Sequence, residues 1–315
     1  MQTIPLGVSS LLSTRLAYGC WRLAGTWDPA EITPESEAKG RRAVIAAYEA
    51  GYNLFDHADI YCHGHAERIF GDALKEAPGL REKIIIATKC GIRFPGEPKP
   101  TSPQRYDFSA PHIIRSCEES LKRMQIETID LYQLHRPDLL ADPEEVAAAF
   151  TKLKEAGKVR YFGVSNFRPT LLTALQAACP MPLIVHQVEI SLSRLDCFTD
   201  GTLDQCFIEK MTPLAWSPLA RGLLGDGGKD VPPALKTAYR PEAIIPVLDA
   251  IAAAHGVSRV VIALAWLLKH PSKIIPIVGS TNVDRIKDAT KAADLELTRE
   301  EWYKLLLAAR GEPLP

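Results

Sequence analysis

The sequence predicts an α/β chain in which eight parallel strands alternate with helices and close into a (β/α)8 barrel of the TIM type, with the longest loops at its C-terminal face. Three observations carry that expectation. Short, β-rich apolar runs alternate with amphipathic helical stretches to the end of the 315 residues. The strand-like runs number eight, mostly spaced by 20 to 40 residues. No Pro/Gly/Ser-rich linker divides the chain, so residues 1–315 are expected to form a single domain. A doubly wound sheet would fit six strands better than eight.

The elements follow in order. RLAYG (15–19) is the first strand, and SEAKGRRAVIAAYEAG (36–51) follows as a helix with Ala43, Ala46, Ala47 and Ala50 on one face and Gly51 at its stop. NLFDH (53–57) and IIIATKC (84–90) are the second and third strands, and PHIIRSCEESLKRMQ (111–125) reads as a helix closing on Gln125. DLYQLH (130–135) leads to the helix PEEVAAAFTKLKEAG (143–157), then YFGVSN (161–166) and IVHQVEI (184–190). TPLAWSP (212–218), the helix PEAIIPVLDAIAAAHG (241–256) and IIPIVGS (274–280) complete the set. Proline opens several helices, where its fixed φ suits the first turn. The longest apolar run, Val260 to Leu268, is about half of a bilayer span and is expected to be a buried helix.

Two connections break the rhythm. GIRFPGEPKPTSPQRYDFS (91–109), with four prolines, follows the third strand, and ARGLLGDGGKDVPPALKTAYR (220–240) follows the seventh. Long loops after barrel strands lie at the face where barrel active sites are built, which makes both candidates for a lid or pocket wall.

Composition narrows the function. With 46% hydrophobic and 24% charged residues the chain has the profile of a soluble globular protein, and its net charge of −1 gives no long-range pull toward nucleic acid or an anionic membrane. Seven cysteines without a CxxC pair fit a reduced, cytoplasmic setting, and MQTIPLGVSSLLSTRLAYG lacks the basic and apolar regions of a signal peptide. The expected partner is therefore a small molecule; the oligomeric state is left open.

Polar residues at strand ends locate the chemistry. The second strand ends in Asp56 with Tyr61 just beyond, the third in Lys89, the fourth in His135, the fifth in Ser165 and Asn166; the sixth carries Gln187 and the seventh ends in Trp216 and Ser217. In a barrel they converge on one mouth. A phenol is a poor acid at neutral pH, but an ammonium within hydrogen-bond reach favours the phenolate, so Lys89 is expected to lower the pKa of Tyr61. Asp56 is placed to keep Lys89 charged, and His135 to hydrogen-bond a substrate carbonyl.

The stretch DHADIYCHGH (56–65) also raises a metal reading. Barrel metalloenzymes take ligands from several strand ends, whereas His57, Cys62, His63 and His65 crowd one strand and loop, so no metal is expected. By strand alternation His57 is expected to face the strand–helix layer as a hydrogen-bonded structural residue, and Asp59 to cap or turn the loop.

Taken in order, GYNLFDHADIY (51–61), ATKCGI (87–92), DLYQLHRPD (130–138), GKVRYFGVSNF (157–167), HQVEISL (186–192), PLAWSPLARG (213–222) and IVGSTNVDRI (277–286) resemble the aldo-keto reductase family over nearly the whole chain. AYGCWRL near the start and DGTLDQC (200–206) are similar to its bacterial oxidoreductase branch. The resemblance implies reduction of aldehyde or ketone carbonyls with a nicotinamide cofactor and no metal, through the tetrad Asp56, Tyr61, Lys89 and His135, with Tyr61 as proton donor. It implies cofactor contacts at Gly19, Cys20, Trp21, Ser165, Asn166, Gln187 and Trp216, then at Ser217, Pro218, Leu219, Arg221 and Gly222 on the pyrophosphate side.

At the eighth strand it implies Gly279, Ser280, Thr281, Arg285 and Asp288. There GSTN opens a helix, whose N-terminal N–H groups and dipole make an anion site, and Arg285 resembles the residue that grips a 2′-phosphate, favouring NADPH over NADH. Gly279 and Ala289 replace the lysine and asparagine of many members, which should weaken adenosine binding. Trp21, Trp27, Ile92 and Tyr106 are expected to build a substrate pocket suited to a hydrophobic or aromatic carbonyl compound. A nicotinamide-binding sensor or regulatory subunit with little turnover is the alternative of a different class.

Overall fold

The structure, a computed structural model, describes residues 1–227 and 231–314. Each of the eight predicted runs overlaps a strand: β1 (Ala17–Gly19), β2 (Leu54–Asp56), β3 (Ile85–Cys90), β4 (Ile129–Leu134), β5 (Val159–Ser165), β6 (Leu183–Glu189), β7 (Thr212–Trp216) and β8 (Ile275–Val278). They are all parallel and close in chain order, with β8 pairing β1 through Ile277 with Ala17 and Val278 with Tyr18.

The helices are α1 (Pro34–Glu49), α2 (His65–Glu76), α3 (Ala110–Met124), α4 (Pro143–Glu155), α5 (Pro169–Ala178) and α6 (Thr202–Ile208). After β7 come α7 (Pro233–Tyr239), α8 (Pro241–His255) and α9 (Arg259–Leu268), and after β8 come α10 (Val283–Thr290) and α11 (Arg299–Arg310). The punctuation acts as expected: Thr33 and Ser36 form a capping box before Pro34, and Gln125 and Gly256 end their helices in the left-handed region. The apolar run after Val260 is α9, buried from Val261 to Leu267. Among the described residues no single helix is long and apolar enough to cross a membrane.

Alternation along each strand sorts two cores. Leu54, Ile85, Ala87, Leu131, Val185, Leu214, Ile275 and Ile277 fill the barrel, while Tyr18, Phe55, Ile86, Tyr132, Phe162 and Val188 meet the helices. An N-terminal hairpin, Thr3–Pro5 against Leu12–Thr14, closes the bottom of the barrel with the buried Leu6 and Leu11. Gly7 makes that plug possible, because a Cβ there would stand 2.5 Å from the Ile184 carbonyl oxygen.

The two long connections differ. In 91–109 the chain forms a short hairpin, Ile92–Arg93 against Arg105–Tyr106. In 220–240 a turn at Ala220–Gly222 is followed by α7; residues 228–230 of that predicted loop lie outside the described residues.

Candidate active site

Strand parity builds the mouth. Stepping by two from the apolar interior leads from Ala17 to Gly19, Leu54 to Asp56, Ala87 to Lys89, and from Leu131 through Gln133 to His135. The same step leads from Val185 to Gln187, Leu214 to Trp216 and Ile277 to Gly279, and Gly163 is followed by Ser165. Every strand thus places one of the sequence-predicted residues in the topmost layer.

At its centre Lys89 is fully buried and donates in three directions: to Asp56 Oδ1 and Oδ2 at 2.9 and 2.8 Å, to the His57 carbonyl at 2.6 Å and to Tyr61 Oη at 3.4 Å. An ammonium carries three protons, so its capacity is used completely. Burial alone would lower its pKa, but Asp56 and Tyr61 outweigh burial and hold it above the ordinary value. Asp56 is fixed from the other side by Gln187, whose Nε2 donates to Oδ1 at 2.8 Å.

Tyr61 departs from the expectation of a lowered pKa. Burial pushes its phenol up further than Lys89 pulls it down, so the net direction is upward and Tyr61 is held as a neutral proton carrier. His135 is held neutral as well: burial first, then Lys89 and Arg136, drives its pKa well below the usual imidazole value. Its ring lies 6.1 Å from that of Tyr61, edge to face. A neutral imidazole and a phenol beside a fixed cation can hydrogen-bond one oxygen and deliver a proton to it.

The other histidines of 56–65 diverge. His57 does face the helix layer, 4.4 Å from the Phe70 ring, but both ring nitrogens are buried without a hydrogen-bond partner among the described residues, and burial lowers its pKa to about 3. The expected hydrogen bond is therefore absent; the ring packs as an apolar group. His63 stacks on Phe94 at 4.0 Å. Among the described residues no group of three or more His, Cys, Asp or Glu side chains could hold a metal ion.

The expected cofactor residues brace one another. Asn166, in a left-handed backbone (φ 60°), donates from Nδ2 to Ser165 Oγ at 2.7 Å and to the His135 carbonyl at 3.2 Å, and accepts from Trp216 Nε1 at 2.9 Å. The Arg136 guanidinium lies over the Trp216 ring at 5.3 Å. Six of the ten non-glycine residues with positive φ, Cys62, His63, Asn166, Ser217, Ala220 and Arg221, lie in loops at the mouth among the described residues. Strain held this way belongs to sites whose geometry is fixed by the surroundings.

At the end of β8, Gly279 lies against Trp21, where a Cβ would stand 3.4 Å from the indole nitrogen. Asn282 caps α10 by accepting from the Arg285 N–H, and Tyr18 Oη donates to the Ser280 carbonyl at 2.9 Å. Arg285 is exposed and donates to the Asp226 carbonyl at 3.4 Å. Asp288 accepts from Ser258 Oγ at 2.5 Å and from Lys291 Nζ at 2.8 Å, so its carboxylate braces α10 against α9. An amide and hydroxyl pair, a flat indole, a glycine-lined cradle and a helix N-terminus with an exposed arginine together suit a nicotinamide dinucleotide.

The pocket residues separate into two groups. Trp27 is half exposed, with its ring 6.3 Å from Tyr61 and 5.4 Å from Trp21. Ile92 and Tyr106 pair across the 91–109 hairpin, which leans on the Tyr61 turn through Phe94 and His63. Sequence reasoning missed Phe94 and also Glu67, which is fully buried, accepts from Thr88 Oγ1 at 2.6 Å and pairs with Arg123 Nε at 2.7 Å. The available signal was a carboxylate on the buried face of α2 beside Ala66, Ile69, Phe70 and Ala73.

Comparison with known proteins agrees with this geometry. Residues 15–306 match the model of the aldo/keto reductase family. The chain is 42% identical to a 6-dehydroglucose reductase of Novosphingobium aromaticivorans, covering 98% of this chain and 96% of that one. It is 40% identical to a 6-dehydroglucose reductase of Agrobacterium fabrum, covering 99% of each. Among solved structures, the glycerol dehydrogenase from Gluconobacter oxydans superposes with a TM-score of 0.85 at 28% identity, covering 100% of this chain and 98% of that one.

Proposed function

Because this chain belongs to the aldo/keto reductase family of oxidoreductases, we propose that it reduces aldehyde or ketone carbonyls to alcohols with NADPH, in the cytoplasm and as a single barrel domain. The observation that carries the reading is the buried Lys89 ammonium, locked on Asp56 at 2.8 Å and in reach of Tyr61 Oη at 3.4 Å, beside a neutral His135. A nicotinamide held by Ser165, Asn166, Gln187 and Trp216 would supply the hydride when bound. The chain's residues do the rest: His135 orients the carbonyl oxygen, Tyr61 gives it a proton, and Lys89, held by Asp56, stabilises the phenolate that remains.

Ser165, Asn166 and Gln187 would hold the carboxamide, with Trp216 under the ring, and the exposed Arg285 supports a 2′-phosphate and hence NADPH over NADH. For the substrate, the Trp27 indole beside Tyr61, backed by that of Trp21, and two relatives named for 6-dehydroglucose support an aldehyde carried on a sugar skeleton. NADPH consumption measured with sugar aldehydes, aromatic aldehydes, ketones and quinones tests the proposal. Tyr61→Phe is expected to bind NADPH normally and lose most turnover; NADPH binding without turnover on any carbonyl would favour the sensor reading instead.

A further inference from the structure

Glu67, Arg123 and Glu119 lie together behind the Tyr61 turn, on the helix side of the barrel wall. Glu67, on the first turn of α2, is fully buried and is held at both oxygens: Oε1 by Thr88 Oγ1 at 2.6 Å and Oε2 by Arg123 Nε at 2.7 Å. Thr88 directly precedes Lys89, and by strand parity its side chain leaves the barrel on the opposite side from the ammonium. Arg123, near the end of α3, is steadied by Ser120 Oγ at 3.1 Å and faces Glu119 at 3.8 Å.

The arginine stem fills the space under the turn that carries Tyr61. Cys62, His63 and Gly64 follow that residue in three consecutive left-handed conformations, at φ 46°, 52° and 86°. A Cβ on Gly64 would meet Arg123 Cδ at 2.6 Å and Nε at 2.8 Å, so the turn rests directly on the guanidinium stem. Asp59, at the start of the same turn, takes its N–H to the Lys89 carbonyl at 3.0 Å and buries Oδ1 without a partner among the described residues. Burial and the Glu67 charge push the Asp59 carboxyl well above its ordinary pKa, against the pull of Arg123.

One carboxylate therefore ties together the strand residue next to the ammonium and the arginine on which the phenol's turn sits. We propose that Glu67 is a positioning residue that fixes the separation of Lys89 and Tyr61 through Thr88 on one side and Arg123 with Gly64 on the other; its catalytic consequence rests on the carbonyl-reductase reading above. A hydrogen-bonded ion pair whose carboxylate is fully buried is a stiff link, and outer partners of this kind hold reacting groups to within fractions of an ångström. The Lys89–Tyr61 distance of 3.4 Å is long for a hydrogen bond, so further separation removes the contact.

Glu67→Gln keeps the shape and breaks the ion pair; Thr88→Val removes only the bond to β3 and serves if the first variant does not fold. The primary readout is the ring-carbon signal of Tyr61 in a chain labelled with 13Cζ-tyrosine, assigned with Tyr61→Phe and followed through its alkaline titration. The charged or titratable groups facing that phenol are Lys89, Asp56 and Cys20, with the His135 ring edge to face. In both variants the Tyr61 signal should move and its titration should shift upward, because the contact with Lys89 loosens, while loss of a nearby negative charge alone would shift it downward. In steady state kcat should fall about 10- to 100-fold with KM and NADPH affinity unchanged, and Glu67→Asp should recover part of it. An unmoved Tyr61 signal in both variants overturns the proposal. Should the wild-type chain consume no NADPH with any carbonyl, the reductase reading fails while the Tyr61 signal still decides the role of Glu67.

Discussion

Asp56→Asn perturbs the electrostatic centre of the mouth at a stroke. Lys89 is fully buried, and both carboxylate oxygens of Asp56 take its ammonium at 2.8 and 2.9 Å. Asparagine keeps the shape and one acceptor but removes the charge that offsets desolvation. Breaking a buried pair from one side costs roughly 3–5 kcal/mol. With about 2.1 cal/mol/K per residue, a chain of 315 residues unfolds with an entropy of about 0.66 kcal/mol/K, so the loss amounts to a Tm drop of about 5–8 °C.

The pH dependence gives the sign. In the wild type, burial would lower the Lys89 pKa, but Asp56 and then Tyr61 hold it above the ordinary lysine value. A raised folded-state pKa contributes stability that is complete below the unfolded value and is lost as pH rises through the folded one. Without the Asp56 charge, burial dominates and the folded pKa falls below the unfolded one, so the variant is penalised most at low pH and recovers as pH rises. Scanning calorimetry between about pH 6 and pH 10 reads both effects. A Tm loss under about 2 °C near neutrality, or a variant profile parallel to that of the wild type, refutes the role given to this pair.

Three further outcomes are expected. Burial lowers the pKa of His57 to about 3 and those of His112 and His186 to about 4, so the unfolded chain binds more protons than the folded one below about pH 6.5, and stability falls as the solution is acidified. His57→Phe removes about 2 kcal/mol of that loss at about pH 5, visible as a flatter Tm profile; an unchanged slope would show that His57 titrates normally. Gln133 lies fully buried inside β4 with neither amide atom bonded among the described residues, and Gln133→Met is expected to raise Tm by relieving about 1–3 kcal/mol of unpaired polarity. A lower Tm would mean that the amide is satisfied in solution. Trp27→Ala, which removes the ring 6.3 Å from Tyr61, should raise KM for the carbonyl substrate several-fold and leave NADPH affinity alone, measured by steady-state kinetics and fluorescence titration.

What was legible in the sequence follows strand parity. Asp56, Lys89, His135, Gln187 and Trp216 are each an even number of positions from an apolar residue inside the barrel, and Ser165 is in register with Gln187, so a period of two and a barrel closure bring them to one layer. The barrel plug was not legible, because Leu6 and Leu11 are separated by a tight turn and bury in a cluster drawn from strands along the whole chain, from Ala17 to Ile277. Nor was the direction of the Tyr61 pKa, since the pull of Lys89 can be read from residue types while the larger effect of burial depends on everything packed around the phenol. Tyr61 marks the boundary between the two kinds of information. It stands off the strand, so parity does not place it; its position is set by a left-handed turn at Cys62–Gly64 and by the Arg123 stem beneath it, contributed by a helix about 60 residues away. The residue with the most specific proposed chemistry is thus the one whose geometry depends most on tertiary contacts, and Glu67 and Thr88 are where that dependence can be cut without touching the mouth.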